Sequence, residues 1–295
     1  MRILICAKND LPALVAVNQL AEALQGHEVT LWLSDVTRPL ERERADLDLL
    51  RFFERELPLD WLLPLQAAAR AGEAARTPDC WQNFAGLGRR LGAPVRIVPR
   101  LRQVEADYRA LAPDLVLSIR FSHIFPPDFL AVPRFGILNV HPGYLPEYAG
   151  LFAPFHQLSA GRTRIGCTVH FVDAGIDTGP ILETTSLAAD PQRSLQWHVV
   201  NVYPTAIPVL RRAIATLAAG GALEATPQDQ SRRTYWHLPD SEEIAAFQTR
   251  FRLIAPDDFA EILASFGVGL RAARAAALTT ALARTASTPV QAAAT

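Results

Sequence analysis

The sequence is short of the residues that most often announce a special chemistry. Its 295 residues include three cysteines, one methionine and a single lysine, Lys8. Cys6, Cys80 and Cys167 are far apart, odd in number and form no C-x-x-C pair. That excludes a disulfide framework and offers no zinc-ligand spacing, so no metal is expected. Cys6 and Cys167 fall in apolar, strand-like runs and read as buried, inert thiols. The formal net charge is −1, so the broad basic surface that grips nucleic acid is missing and no nucleic-acid partner is expected. No apolar run is long enough to span a bilayer. Residues 1–6 lead straight into a helix-like segment, not into a signal-peptide pattern. These absences together predict a cytoplasmic protein with no membrane partner.

What is present is a large apolar fraction, 49 %, enough for a substantial core. Residues 2–7 read as a buried strand. Asp10 and Pro12 start a helix that carries Leu14, Val17, Leu20, Ala21 and Leu24 at helical spacing. Gly26 ends it, and residues 28–33 form a second strand. Strand, helix, strand implies a right-handed parallel crossover. The fold class is therefore α/β: a Rossmann-like, mostly parallel sheet with helices on both faces, plus a short C-terminal extension.

Further along, 101–111 reads as a helix, 114–119 as a strand, and 121–132 as a Pro-containing loop with a short helix. Residues 136–141 and 165–172 read as strands, with 181–187 beside the latter. Residues 194–217 are helical, broken by Pro204 and Pro208. This makes 1–220 the main domain, with 38–91 as a helical insertion. Residues 221–269 form the extension, with a docked segment at 235–239 and a helix from Ser241 to Phe251 capped at Ser241. Residues 270–295 are an Ala-rich tail, frayed or disordered.

Two segments carry chemistry. In Asn139-Val140-His141-Pro142, strand alternation puts Asn139 and His141 on one face, and Pro142 ends the strand there. The carboxyl end of a strand is where open α/β sheets bind ligands. The loop 173–180 then supplies Asp173 and Asp177 among Gly175 and Gly179. Either segment alone reads as a strand-end histidine or an ordinary turn. Together, an amide donor, an imidazole and a carboxylate are the set that acyl transfer to an amine requires. Donors meet the developing oxyanion, and a base takes the proton of the attacking nitrogen.

Residues 136–150, followed by Thr168-Val169-His170-Phe171-Val172 and Ile176-Asp177-Thr178-Gly179, resemble the two signatures of the folate-dependent formyltransferases. The resemblance is strongest over 114–185. It implies that Asn139, His141 and Asp177 are catalytic, and that the donor is 10-formyltetrahydrofolate, without a metal. It further implies that the pterin meets Ser122, His123, Ile124 and Phe125 on one loop and Ala174, Gly175 and Ile176 on another. His170 and Tyr144 would line the acceptor side. His170 also reads as a histidine packed on the sheet, and Ile124 and Phe125 as plain core.

The pattern is broken in places. Gly143 stands where many members carry serine, and Ala149 where an arginine is common. The loop 7–10 lacks a glycine-rich phosphate cradle. About 75 residues follow the core, too few for a tRNA-binding barrel with its linker, and no regulatory domain precedes it. By subtraction, the expected acceptor is a small amine, with a nucleotide-linked amino sugar as the leading candidate. Hydrolysis of 10-formyltetrahydrofolate and non-catalytic folate binding stay open as alternatives, as does a homodimer. Trp61 and Trp81 in the insertion read either as stacking platforms for the acceptor or as packing residues.

Overall fold

The computed structural model describes residues 1–70 and 80–269; the expected Ala-rich tail lies outside them. The chain runs β1 (Arg2–Lys8), α1 (Leu11–Leu20), β2 (Glu28–Ser34), α2 (Pro39–Glu43), α3 (Ala45–Arg51), a π-helical stretch (Phe52–Leu62), α4 (Leu63–Arg70), α5 (Phe84–Leu91) and β3 (Val95–Ile97). It continues through α6 (Glu105–Leu111), β4 (Leu115–Ile119), α7 (Pro127–Leu130), β5 (Ile137–His141), β6 (Ala149–Gly150), α8 (Ala153–Ser159), β7 (Arg164–Phe171) and β8 (Ile181–Ala188). It closes with α9 (Leu195–Val202), α10 (Ile207–Ala218), β9 (Tyr235–Trp236), α11 (Ser241–Gln248) and α12 (Pro256–Ala264).

Seven strands form the main sheet in the order β3-β2-β1-β4-β5-β7-β8. The first five are parallel; β7 runs antiparallel to β5, and β8 antiparallel to β7. Alternation along β1 explains why both faces need cover. Ile3, Ile5 and Ala7 join the larger apolar core with α1, α9 and α10. Leu4 and Cys6 join a second core with Trp32, Tyr108 and Phe129. A strand buried on both faces reads as an unbroken apolar run, as residues 3–7 do. The order reverses between β1 and β4, and a crevice outside the carboxyl ends of strands at such a point is where α/β sheets take ligands.

Local chemistry sets several boundaries. Asp10 caps α1, accepting from the amide of Ala13 at 3.1 Å. Pro204 and Pro208 divide the long apolar stretch into α9, a 3₁₀ turn (Tyr203–Ala206) and α10. The expected cap at Ser241 is corrected: Asp240 caps α11 in a box with Glu243, because its carboxylate is one residue better placed to reach the third helical amide. That helix ends at Gln248, short of Phe251. Within the stretch expected to be a helical insertion, residues 39–70 and 84–91 are largely helical, with Pro58 inside a π-helical stretch.

The extension is not a separate appendage. Phe247, Phe251, Leu253, Phe259 and Leu263 are buried in the larger core. Asp258 accepts from the amide of Ser194 at 2.7 Å at the start of α9. Strand β9 pairs in parallel with β6, beside the carboxyl end of the sheet. No helix among the described residues is long and apolar enough to cross a membrane.

Candidate functional site

Asn139 and His141, on one face at the end of β5, border a cavity of about 320 Å³. Asp177, Ile176, Ser122, His123 and Ile124 border it too. The expected trio is thus brought together, although the contacts that hold it differ from those expected.

His141 is 4 % exposed. Its Nε2–H donates to the carbonyl of Tyr148 at 2.6 Å. That contact fixes the ring and assigns its proton, because a carbonyl can only accept. Nδ1 is left facing Asp177, 3.6 Å from Oδ1. This is too long for a hydrogen bond, so Tyr148 orients the imidazole and Asp177 supplies charge across a gap. Gly143 makes the Tyr148 contact fit. A β-carbon there would lie 2.8 Å from the Tyr148 carbonyl and 2.9 Å from His141 Nε2. Thr168 Oγ donates to the Gly143 carbonyl at 2.7 Å, tying the turn to β7.

His170 is buried behind Asn139. Its Nδ1–H donates to the Phe171 carbonyl at 2.8 Å, and its Nε2 accepts from the Asn139 amide nitrogen at 3.1 Å. Burial pulls its pKa down to about 4, against the pull of Asp177 in the other direction. The ring is therefore neutral near pH 7, and the accepting nitrogen dictates which way the Asn139 amide points. One N–H of Asn139 goes to His170 and the other is directed elsewhere. His170 thus supports Asn139 from behind and is not among the residues that border the cavity.

Asp177 has φ +56°, a left-handed backbone that aspartate tolerates better than most residues. Its carboxylate accepts from the amide of Gly150 at 2.9 Å. Its own carbonyl accepts from Gln228 Nε2 at 3.0 Å, and the same amide donates to the Gly179 carbonyl at 2.7 Å. Arg233 Nη2 donates to the Ile176 carbonyl at 2.9 Å. The extension thus fastens the loop that carries the acid. Arg120 and Phe152 also have positive φ, +58° and +53°, and both border the cavity. Strained non-glycine backbone persists where surroundings over-determine it, characteristically at functional sites.

Other expected residues fall outside the cavity. Phe125 is 5 % exposed, stacked on Phe121 in the second core, because its side chain points into the sheet. Tyr144 lies across Gly166, where any β-carbon would collide with its ring, so it packs on β7. Ala174 and Gly175 are exposed at the loop tip. Trp81 packs edge-on against Phe266, and Trp61 is exposed away from the cavity. Tyr148, Gly150 and Gln228 went unnoticed, since two of them act through backbone atoms that no residue pattern reports. Among the described residues no His, Cys, Asp and Glu group is arranged to hold a metal.

Residues 97–199 match the family model described as formyl transferase. That segment, about a third of the chain, is similar to the formyl transferase family. The chain is 38 % identical over 155 residues to the methionyl-tRNA formyltransferase of Pseudomonas fluorescens (strain SBW25), covering 51 % of this chain and 48 % of that one. The chain spans about half the length of the curated relatives it matches. Among solved structures, it resembles a phosphoribosylglycinamide formyltransferase from Anaplasma phagocytophilum, with a TM-score of 0.50, 16 % identity, and coverage of 79 % of this chain and 97 % of that one. It also resembles an N-formyltransferase from Helicobacter canadensis, solved with folinic acid and dTDP-3-aminofucose. Here the TM-score is 0.53 and the identity 14 %, with 84 % and 79 % of the two chains covered. These likenesses establish the formyltransferase fold, and the matched segment contains Asn139, His141, His170 and Asp177.

Proposed function

We propose that this protein transfers a formyl group from 10-formyltetrahydrofolate to a primary amine of a small molecule. The observation that carries the reading is the convergence of an oriented amide, an imidazole nitrogen and a carboxylate in one cavity. The donor fits the cavity wall: Ile124 is 69 % exposed and Ile176 42 % exposed, and both border the cavity. Two large apolar side chains in water favour a flat heterocycle between them. The family donor supplies the formyl group as an activated amide. Asn139 turns its free N–H toward the position where the formyl oxygen gains charge, and His141 offers Nδ1 as a second donor when protonated. Asp177 faces that nitrogen and receives the proton released by the attacking amine.

A nucleotide-linked amino sugar is one candidate acceptor, supported by the ligand named for the Helicobacter canadensis protein. Methionyl-tRNA is a second, supported by the name of the Pseudomonas fluorescens relative. Absorbance-monitored loss of 10-formyltetrahydrofolate, with and without an amine panel that includes methionyl-tRNA, tests the reaction. Amine-dependent turnover that Asp177→Asn abolishes is expected. Formate release at the same rate without amine would replace transfer by hydrolysis, and no turnover at all would remove the enzyme reading.

A further inference from the structure

Opposite the trio, the cavity is walled by the insertion and by the loops after β1, β2 and β4. That wall is rich in charge, and its pairing restricts what can enter. Five cationic side chains border the cavity among the described residues: Lys8, Arg38, Arg51, Arg55 and Arg120. Each is already held by carboxylates. Arg120 bonds Asp10 at 2.8 Å and Glu54 at 2.7 Å, and Lys8 lies 3.9 Å from Asp10. Arg51 bonds Asp48 and Glu56, both at 2.5 Å, and Arg55 bonds Asp35 at 2.9 Å and Asp60 at 2.6 Å. Arg38 bonds Glu41 at 3.3 Å. Seven carboxylates therefore serve these five cations. A diphosphate entering here would break existing pairs and face the carboxylates released, and a buried charge left without a partner costs several kcal/mol.

Size points the same way. A cavity of about 320 Å³ is at the low end of the roughly 300–1,000 Å³ that a single small ligand fills. This one must take the formyl-bearing end of the donor as well as the acceptor. Leu47, Leu50 and Val199 give part of the wall an apolar surface. On this wall Glu54 and Asp35 each share their one cation with a second carboxylate, and Glu54 is the more enclosed of the two. Its only ion-pair partner among the described residues is Arg120, which it shares with Asp10. Burial raises its pKa despite Arg120, and Asp10 and Glu41 add to the rise.

We infer that the acceptor is a small aliphatic amine that carries a second cationic group and no phosphate, with Glu54 reading that second charge. This rests on the proposed formyl transfer and narrows it: the wall disfavours both the nucleotide-linked sugar and the tRNA. The loss of the arginine expected at Ala149, and of a glycine-rich cradle after β1, agrees with it.

Two measurements separate this inference from the reaction itself. In calorimetry on the protein saturated with 5-formyltetrahydrofolate, putrescine and L-lysine are expected to bind, and dTDP and a dTDP-linked amino sugar to bind about tenfold more weakly or worse. In turnover with 10-formyltetrahydrofolate, Glu54→Gln is expected to raise the KM for the cationic amine about tenfold while kcat and folate affinity stay unchanged. Glu54→Gln keeps an oxygen for Arg120, and unchanged folate binding certifies the fold. Tighter binding of dTDP or the amino sugar, or an unchanged KM in Glu54→Gln, overturns the inference while leaving the transferase intact. Cationic amines that bind through Glu54 without ever being formylated refute the reaction and the acceptor assignment with it, and leave Glu54 as a cation-binding carboxylate alone.

Discussion

His170 makes acid stability a direct readout of how the site is organised. The ring is 2 % exposed and its pKa falls from 6.5 to about 4, chiefly through burial. The unfolded chain binds the proton near its ordinary value, so between these limits the unfolded state holds more protons than the folded one. Stability is complete above pH 6.5, declines as the pH falls through that window, and levels off once the folded ring also protonates. A displacement of about 2.5 units is worth about 3 kcal/mol. His156 and His198 are also held below the ordinary value by burial and add to the same slope. Asp35 and Asp258 have depressed values, so their contributions vanish only at more acidic pH. The assay is urea unfolding at intervals from pH 7.5 to 4.5, comparing the wild type with His170→Gln. Glutamine stays neutral and has both an acceptor for Asn139 and a donor for the Phe171 carbonyl. The variant should lose about 3 kcal/mol less than the wild type across the window. Equal slopes in the two proteins would show that His170 does not titrate as a buried neutral ring. The orientation argued for Asn139 would then fail as well.

Two substitutions test the contacts that no motif announced. Gln228→Ala removes both hydrogen bonds from the extension to the Asp177 and Gly179 carbonyls. It should cost about 1–3 kcal/mol in urea unfolding and lower kcat about tenfold with folate affinity unchanged; full kcat would show that the loop holds itself. Gly143→Ala places a methyl against the His141–Tyr148 contact and should reduce kcat by about 10- to 100-fold at near-native secondary structure by circular dichroism. An active Gly143→Ala variant would mean that Tyr148 is not what sets the imidazole.

The sheet was legible because its strands are buried on both faces and so appear as apolar runs between strong breaks. Gly26 marks the end of the first helical region, and Pro204 and Pro208 divide α9 from α10. The antiparallel β7 and β8 were readable as adjacent strands, but nothing local states direction. Helix α12 was missed because it packs in an extension whose composition does not set it apart. In the site, side chains at alternating positions of β5 were visible as a pair. The groups that aim them were not: the Tyr148 carbonyl and the Gly150 amide are backbone atoms, and Gln228 lies 51 residues from Asp177 in the chain. The side chains of Phe125 and Tyr144 lie outside the cavity because a family resemblance assigns positions along the chain. Which face a side chain takes depends on packing against Phe121 and Gly166.

The strained residues show why the extension belongs with the reaction centre. A left-handed conformation costs a non-glycine residue roughly 1–2 kcal/mol, and Asp177 and Arg120 both adopt it at the cavity. Relaxing Asp177 to an ordinary turn would swing its carboxylate away from the Gly150 amide and from Nδ1 of His141. Gln228 opposes this from one side by holding the carbonyls of Asp177 and Gly179. Strand β9 opposes it from the other by pairing with β6, which sets Gly150 in place. Arg120 is held by Asp10 and Glu54 instead, so the insertion fixes the opposite wall. Two segments outside the motif-bearing core therefore set the two halves of the cavity. In the proposed reaction the extension shapes the half assigned to the proton, and the insertion the half inferred to read the acceptor's charge. Exchanging the insertion should then change which amine is used while the pH profile of kcat stays the same. Truncating before Gln228 should remove turnover for every amine.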